Sequence, residues 1–220
     1  MNILKKMVCI LLGIIGIHTI QAEIITYPAE VTPGSWLCFR KDISVGKDAS
    51  HNLLKIAADS KYWLWINGEL IVREGNLKRG PNPKDTYCDI LRDVKGLVSG
   101  RNTIALLVWY FGKDGFSHRN SPTAGVSVDL TIGKQRYISD DSWKVSIHPS
   151  FYIPNGINPN YRLPESNIGF NAQKEVAFWD KDFDDALWQG NQKGTIRMES
   201  IGRTSYSYVE RLWIERLCES

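Results

Sequence analysis

The run Tyr62-Trp63-Leu64-Trp65-Ile66-Asn67-Gly68-Glu69-Leu70-Ile71-Val72 restricts the possible folds more than any other part of the chain. Tyr62 to Ile66 is aromatic and branched, which suits a pleated, half-buried surface. Asn67-Gly68 separates it from a second apolar run. Both residues tolerate the positive φ that a type I′ turn needs at its two central positions, and the twist of that turn matches the strands it joins. A hairpin is expected here. It is preceded by an alternating strand through Leu54, Ile56 and Ala58 and by a break at Asp59-Ser60-Lys61.

The same reading extends along the chain. Trp36 to Arg40 is a first strand, ended by Ile43-Ser44-Val45. Tyr87 to Ile90 is a short strand, and Leu91 to Val98 is expected to form a helical turn closed by Gly100. Asn102 to Phe111 is apolar on both faces, with Ile104, Leu106 and Val108 on one and Ala105, Leu107 and Trp109 on the other. Such a strand is buried on both sides, or packs one face on the core and lends the other to a partner. Val126, Val128, Leu130 and Ile132 alternate with polar residues, a one-sided strand. Gln135 to Ile138, Trp143 to Ile147 and Glu175 to Trp179 are further strands, and Phe183 to Trp188 is a capped helical turn. Gly75 to Lys84, Gly112 to Gly125 and His148 to Ala172 are loops, and the last is long enough to suggest function. Many short strands with Gly, Pro and Asn turns define an all-β, antiparallel β-sandwich of jelly-roll type. No period of twenty to fifty residues recurs, which argues against a propeller or solenoid.

Residues 1–22 read as an export signal. Lys5-Lys6 precede an apolar run from Met7 to Ile17, and Ile20-Gln21-Ala22 offers a cleavage site. The run is short for a membrane span, so no membrane partner is expected after cleavage. The expected address is periplasmic or extracellular, an oxidising setting in which Cys38 and Cys88 either pair or remain buried thiols. The net charge of +3 without a basic stripe argues against nucleic acid.

Catalytic chemistry is not apparent. Asp140-Asp141 and Asp184-Asp185 are adjacent pairs in turns, where Asp commonly bonds its own backbone rather than straddling a substrate bond. His51, His118 and His148 are scattered, no Gly-x-Ser-x-Gly elbow occurs, and cysteine spacing gives no zinc motif. No catalytic or metal residue is assigned. Structural calcium at Asp180, Asp182 and Asp184 is the one cofactor considered, although that run lacks the Gly and distal Glu of an EF-hand loop.

Several segments resemble a known family. They are the Ala58-Asp59/Asn67-Gly68 hairpin, Arg79-Gly80-Pro81-Asn82-Pro83, Gly100 to Ala105, and Trp109 to His118. Asp141-Ser142-Trp143-Lys144-Val145 and Phe183 to Trp188 complete the set. Together they are similar to the N-terminal β-sandwich region of bacterial α-L-rhamnosidases, glycoside hydrolase family 78, and Trp109 to His118 is the specific part. The resemblance implies a galactose-binding-like module over residues 23–190. Residues 191–220, with Trp213 to Leu217, would lead toward a next domain. It also implies that hydrolysis belongs to a separate helical barrel, so this chain is expected to be inactive alone. Its implied partners are carbohydrate, rhamnose-containing glycans in particular, or a catalytic domain. A lectin-like module acting alone and a purely structural domain are the alternatives. An aromatic ring can cover the C–H face of a sugar while polar neighbours bond its hydroxyls. Trp109, Tyr110, Asp114, Phe116, His118 and Arg119, with Asn120 beside them, supply both kinds of group and are the candidate sugar contacts. Trp63 and Trp65 are read chiefly as packing residues.

Overall fold

The computed structural model describes residues 24–47, 49, 51–75, 89–116, 118, 120, 124–155 and 163–193. The expectations for the export signal, Arg79 to Pro83, Cys88, Arg119 and the C-terminal segment beyond residue 193 lie outside them. Fourteen strands are described. They are β1 (Ile25–Thr26), β2 (Trp36–Val45), β3 (Asn52–Asp59), β4 (Lys61–Ile66), β5 (Glu69–Gly75), β6 (Asp89–Arg92) and β7 (Gly100–Trp109). There follow β8 (Gly125–Ile132), β9 (Gln135–Ile138), β10 (Lys144–Ile147), β11 (Phe151–Tyr152), β12 (Gly169–Phe170), β13 (Gln189–Gly190) and β14 (Gln192–Lys193). The first sheet runs β14-β1-β8-β3-β6, with β9 beside β8. The second runs β13-β10-β2-β7-β4-β5, and β11-β12 is a small separate pair. Every pairing is antiparallel.

The two large sheets face each other as a jelly-roll sandwich. Leu37, Phe39, Leu64, Ile66, Leu106 and Val108 from the second meet Leu54, Ile56, Val126, Val128 and Leu130 from the first. The chain passes between sheets at Ser60, so the break at Asp59-Ser60-Lys61 is a crossing and not a hairpin; that peptide bond is cis. The β4–β5 turn has Asn67 at φ 51° and Gly68 at φ 86°, both positive as a type I′ turn requires. The Asn67 amide also donates to Gly96 O (2.8 Å) and Asn102 Oδ1 (2.9 Å) and accepts from Thr103 N (2.9 Å), which ties the turn to the start of β7.

Three local expectations differ from the structure. Leu91 to Val98 is not helical. Asn52 takes up both backbone groups of Val94, and buried Asn102 takes up those of Val98, so two asparagine amides replace the helical bonds. Glu175 to Trp179 is not a strand, and Phe183 to Trp188 is a turn rather than a helix. Both belong to a cover laid over the outer face of the second sheet. The carbonyls of Phe178, Asp180 and Phe183 accept hydrogen bonds from the Arg40 guanidinium instead of from a neighbouring strand. No helix among the described residues is long and apolar enough to cross a membrane.

Candidate functional site

Beneath that cover lies a second core, rich in aromatic rings. The outward side chains of β2, β4 and β7 alternate with those facing the sandwich interior. They are Trp36 and Cys38, Trp63 and Trp65, and Ala105, Leu107 and Trp109. Trp36 is stacked between Trp109 (4.8 Å, 8°) and Phe151 (4.1 Å, 15°). Trp65 lies against Trp179 (5.5 Å, 19°) and edge-on to Phe178. Such pairs contribute about 0.5–1.5 kcal/mol each beyond their buried area. Strand β7 is therefore covered on both faces, as its two apolar faces require.

Arg40 holds the cover down. It points outward from the middle of β2 and is only 1% exposed. Its Nε donates to Asp185 Oδ2 (3.1 Å), and Lys144 Nζ donates to Asp185 Oδ1 (2.6 Å). Burial raises the Asp185 pKa, but the bonds and charges of Lys144 and Arg40 outweigh it and hold the carboxyl below its usual value. The neighbouring Asp184 caps the Ala186 N–H and Asp180 caps the Asp182 N–H. Two of the three aspartates considered for calcium thus cap turns in the cover. No group of His, Cys, Asp and Glu among the described residues converges to hold a metal ion.

At one end of the sandwich the β3–β4 crossing, the end of β7 and the loop after it come together. Asp59 is fully buried and accepts from Ser60 Oγ (2.7 Å), while the Ser60 hydroxyl also accepts from Phe111 N (3.2 Å). That hydroxyl is thereby committed to the backbone and to its neighbour, a structural role. The buried His118 Nε2 is 3.9 Å from Asp59 Oδ1, and its ring meets Phe111 edge-on. Tyr110 Oη accepts from Asn120 Nδ2 (3.1 Å), and Asn120 N donates to Asp114 Oδ1 (2.9 Å). Burial pushes the Tyr110 phenol up, the Asn120 bond opposes this, and the Asp59 charge adds to it. The Gly115–His118 bridge closes the loop, and Pro164 packs so tightly on Gly115 that a Cβ there would sit 2.5 Å from its Cδ.

The candidate contacts therefore separate by depth. Trp109 (6% exposed), Tyr110 and His118 are buried, Trp109 in the outer aromatic cluster and Tyr110 in the sandwich core, whereas Asp114 is exposed and Phe116, at 75%, stands out from the loop. Arg119 lies outside the described residues. Beside them are two groups that sequence reasoning did not single out. Lys61 begins β4 and faces outward two residues before Trp63; its Nζ is 3.8 Å from Glu165 Oε1 and 3.9 Å from Glu74 Oε2. The alternation of β4 could have placed Lys61 next to Trp63, but nothing local in the sequence brings Glu165 to it.

No family model and no curated protein sequence matches the chain. Solved structures do. The chain is similar to a GH78 family rhamnosidase of Bacillus sp. GL1, at 25% identity and a TM-score of 0.70, over 80% of this chain and 18% of that one. It is similar in fold to the native α-L-rhamnosidase of Aspergillus terreus, at 23% identity and a TM-score of 0.59, over 80% and 21%. A lectin from Pleurotus ostreatus, solved in complex with GalNAc, shares the fold at 15% identity and a TM-score of 0.51, over 84% and 47%. The likeness to the β-sandwich region of α-L-rhamnosidases, expected from the hairpin and from Trp109 to His118, is thus met in three dimensions. The chain spans about a fifth of the length of the rhamnosidases it matches.

Proposed function

We propose that this chain is a non-catalytic carbohydrate-recognition module of an exported, α-L-rhamnosidase-like glycoside hydrolase system. The observation that carries the reading is the match of one sandwich both to a minor part of rhamnosidases and to a lectin. The end of the sandwich fits it chemically. Phe116 offers an exposed ring and Asp114 an exposed carboxylate on the loop that follows β7. Rhamnose-containing glycans are the proposed ligand class. One aspartate of each pair is engaged within the fold: Asp140 is bonded to Ser142 and Lys41, and Asp185 to Arg40 and Lys144.

Titrating the chain from Glu23 onward with a rhamnose-containing oligosaccharide by calorimetry tests the reading. Weak binding, reduced in Phe116→Ala, is expected, together with no hydrolysis of an aryl α-L-rhamnoside. Turnover that disappears on changing Asp141 or Asp185 would overturn it. N-terminal sequencing of the exported protein should find Glu23 first, and an intact Met1 in the membrane fraction would refute cleavage.

One observation favours a second role, as a brace for a neighbouring domain. Tyr152, Ile153, Ile168 and Phe170 on and beside the β11–β12 pair are each about half exposed, and clustered apolar surface commonly marks an interface. Dynamic light scattering of the chain alone, with and without Tyr152→Ser/Phe170→Ser, should show self-association that these changes remove.

A further inference from the structure

We propose that the outer face of the second sheet carries a subsite for a neutral pyranose, built from Lys61, Trp63 and Glu165 with Glu74 on its rim. The proposal rests on the carbohydrate reading above but places a contact away from the Phe116 loop. Lys61 and Trp63 are two apart on β4 and so share its outward face, opposite the buried Tyr62 and Leu64. Lys61 is only 19% exposed, and its ammonium lies over the rings of Trp109 (5.8 Å) and Phe111 (6.0 Å). Its two carboxylate neighbours are at 3.8 and 3.9 Å, beyond hydrogen-bond length, so the charges hold it in place without taking up its N–H groups.

The acceptor side also has an unused atom. Glu165 is one-quarter exposed, yet its Oε2 is shielded from solvent and has no hydrogen-bond partner among the described residues. The same holds for Asn167 Nδ2, two residues along, and for the indole N–H of Trp109 beneath Lys61. Shielded polar atoms without partners are uncommon in folded proteins, and three of them in the segments around one lysine point to a polar ligand. Trp63 completes the set. Its ring is backed by Trp36 at 5.2 Å and is partly exposed.

This combination matches a sugar. The solvent-accessible part of the Glu165 carboxylate accepts from a hydroxyl, Lys61 donates to a ring or hydroxyl oxygen, and the exposed part of Trp63 covers C–H groups. Two carboxylates against one ammonium leave the site net negative, which disfavours uronic acids and phosphates and selects uncharged pyranoses.

The test uses the chain from Glu23 onward with methyl α-L-rhamnopyranoside, methyl β-D-galactopyranoside and GalNAc as probes, and D-galacturonate as the charged control. Binding is followed by calorimetry and by the tryptophan indole N–H signals in NMR. At least one neutral probe should bind and shift the Trp63 signal, and galacturonate should bind at least tenfold more weakly. Glu165→Gln, which keeps shape and removes charge, and Trp63→Ala, checked for a native far-UV spectrum, should each weaken the neutral probe about tenfold or more. If Glu165→Gln leaves affinity for every sugar within twofold while Phe116→Ala reduces it, the subsite is wrong and the module reading stands. If no neutral sugar binds the folded chain, both fail together.

Discussion

Two adjacent aspartates provide a sharp quantitative test of how the cover is held. Asp184 caps one exposed N–H, and losing such a cap costs about 0.5–2 kcal/mol, at the low end for an open turn. Asp185 neutralises Arg40, whose guanidinium is buried, and also binds Lys144. Removing one partner of a buried pair costs about 3–5 kcal/mol because the other charge is left uncompensated. Asp185 is 25% exposed, so water can reach the gap, and the lower end, about 3 kcal/mol, is expected for Asp185→Ala. For a chain of this size that is a fall in Tm of roughly 6–12 °C. Urea unfolding followed by tryptophan fluorescence is the assay, because Trp179 and Trp188 lie in the cover. The effect should depend on pH. The folded carboxyl is held below its ordinary value, so its stabilisation is complete above the unfolded pKa, about 3.9. It is lost as pH falls through the lower folded value, and wild type and variant should therefore converge only in strong acid. Equal losses for Asp184→Ala and Asp185→Ala, or a loss under 1 kcal/mol for the latter, would refute the clamp.

Other outcomes follow from single groups. Asn67→Pro should destabilise by about 3 kcal/mol or more, since proline cannot reach φ 51°; a melting temperature equal to that of Arg73→Ala would disprove the turn. His148 is buried against Phe151 and Phe178, and burial pushes its pKa down to about 4. Its neutral form thus supports stability in full above the unfolded value of about 6.5, and that stability is lost progressively as pH falls from there to about 4. His148→Phe should flatten that part of the pH–stability curve, and an unchanged slope would reject the assignment. Cys38 is a buried free thiol whose pKa burial raises, so it should resist alkylation at pH 8 in the native protein. It should then react in denaturant without reductant; failure to react there would indicate a disulfide.

Much of the architecture was legible in the chain because it depends on near neighbours. The period-two alternation of Val126 to Ile132 and the Asn67-Gly68 pair specify strand faces and a turn from local sterics alone, and the structure agrees at both. The two-sided β7 announced that something must lie on each face, and the resemblance carried by Trp109 to His118 pointed to the fold. What covers the second face was not legible. The residues of the cover have helix- or strand-like composition, but their carbonyls are claimed by Arg40, 138 to 143 positions earlier in the chain. The same distance effect separates Asp184 from Asp185, which are alike in sequence and unlike in burial and partners. It also brings Glu165 to Lys61 and sinks Trp109 and His118 while leaving Phe116 in solvent. Local sequence determines which conformation a segment prefers. Only the packed fold, by bringing distant groups into a dry environment where charges and hydrogen bonds must be matched, decided which polar side chains hold the structure and which remain open to a ligand.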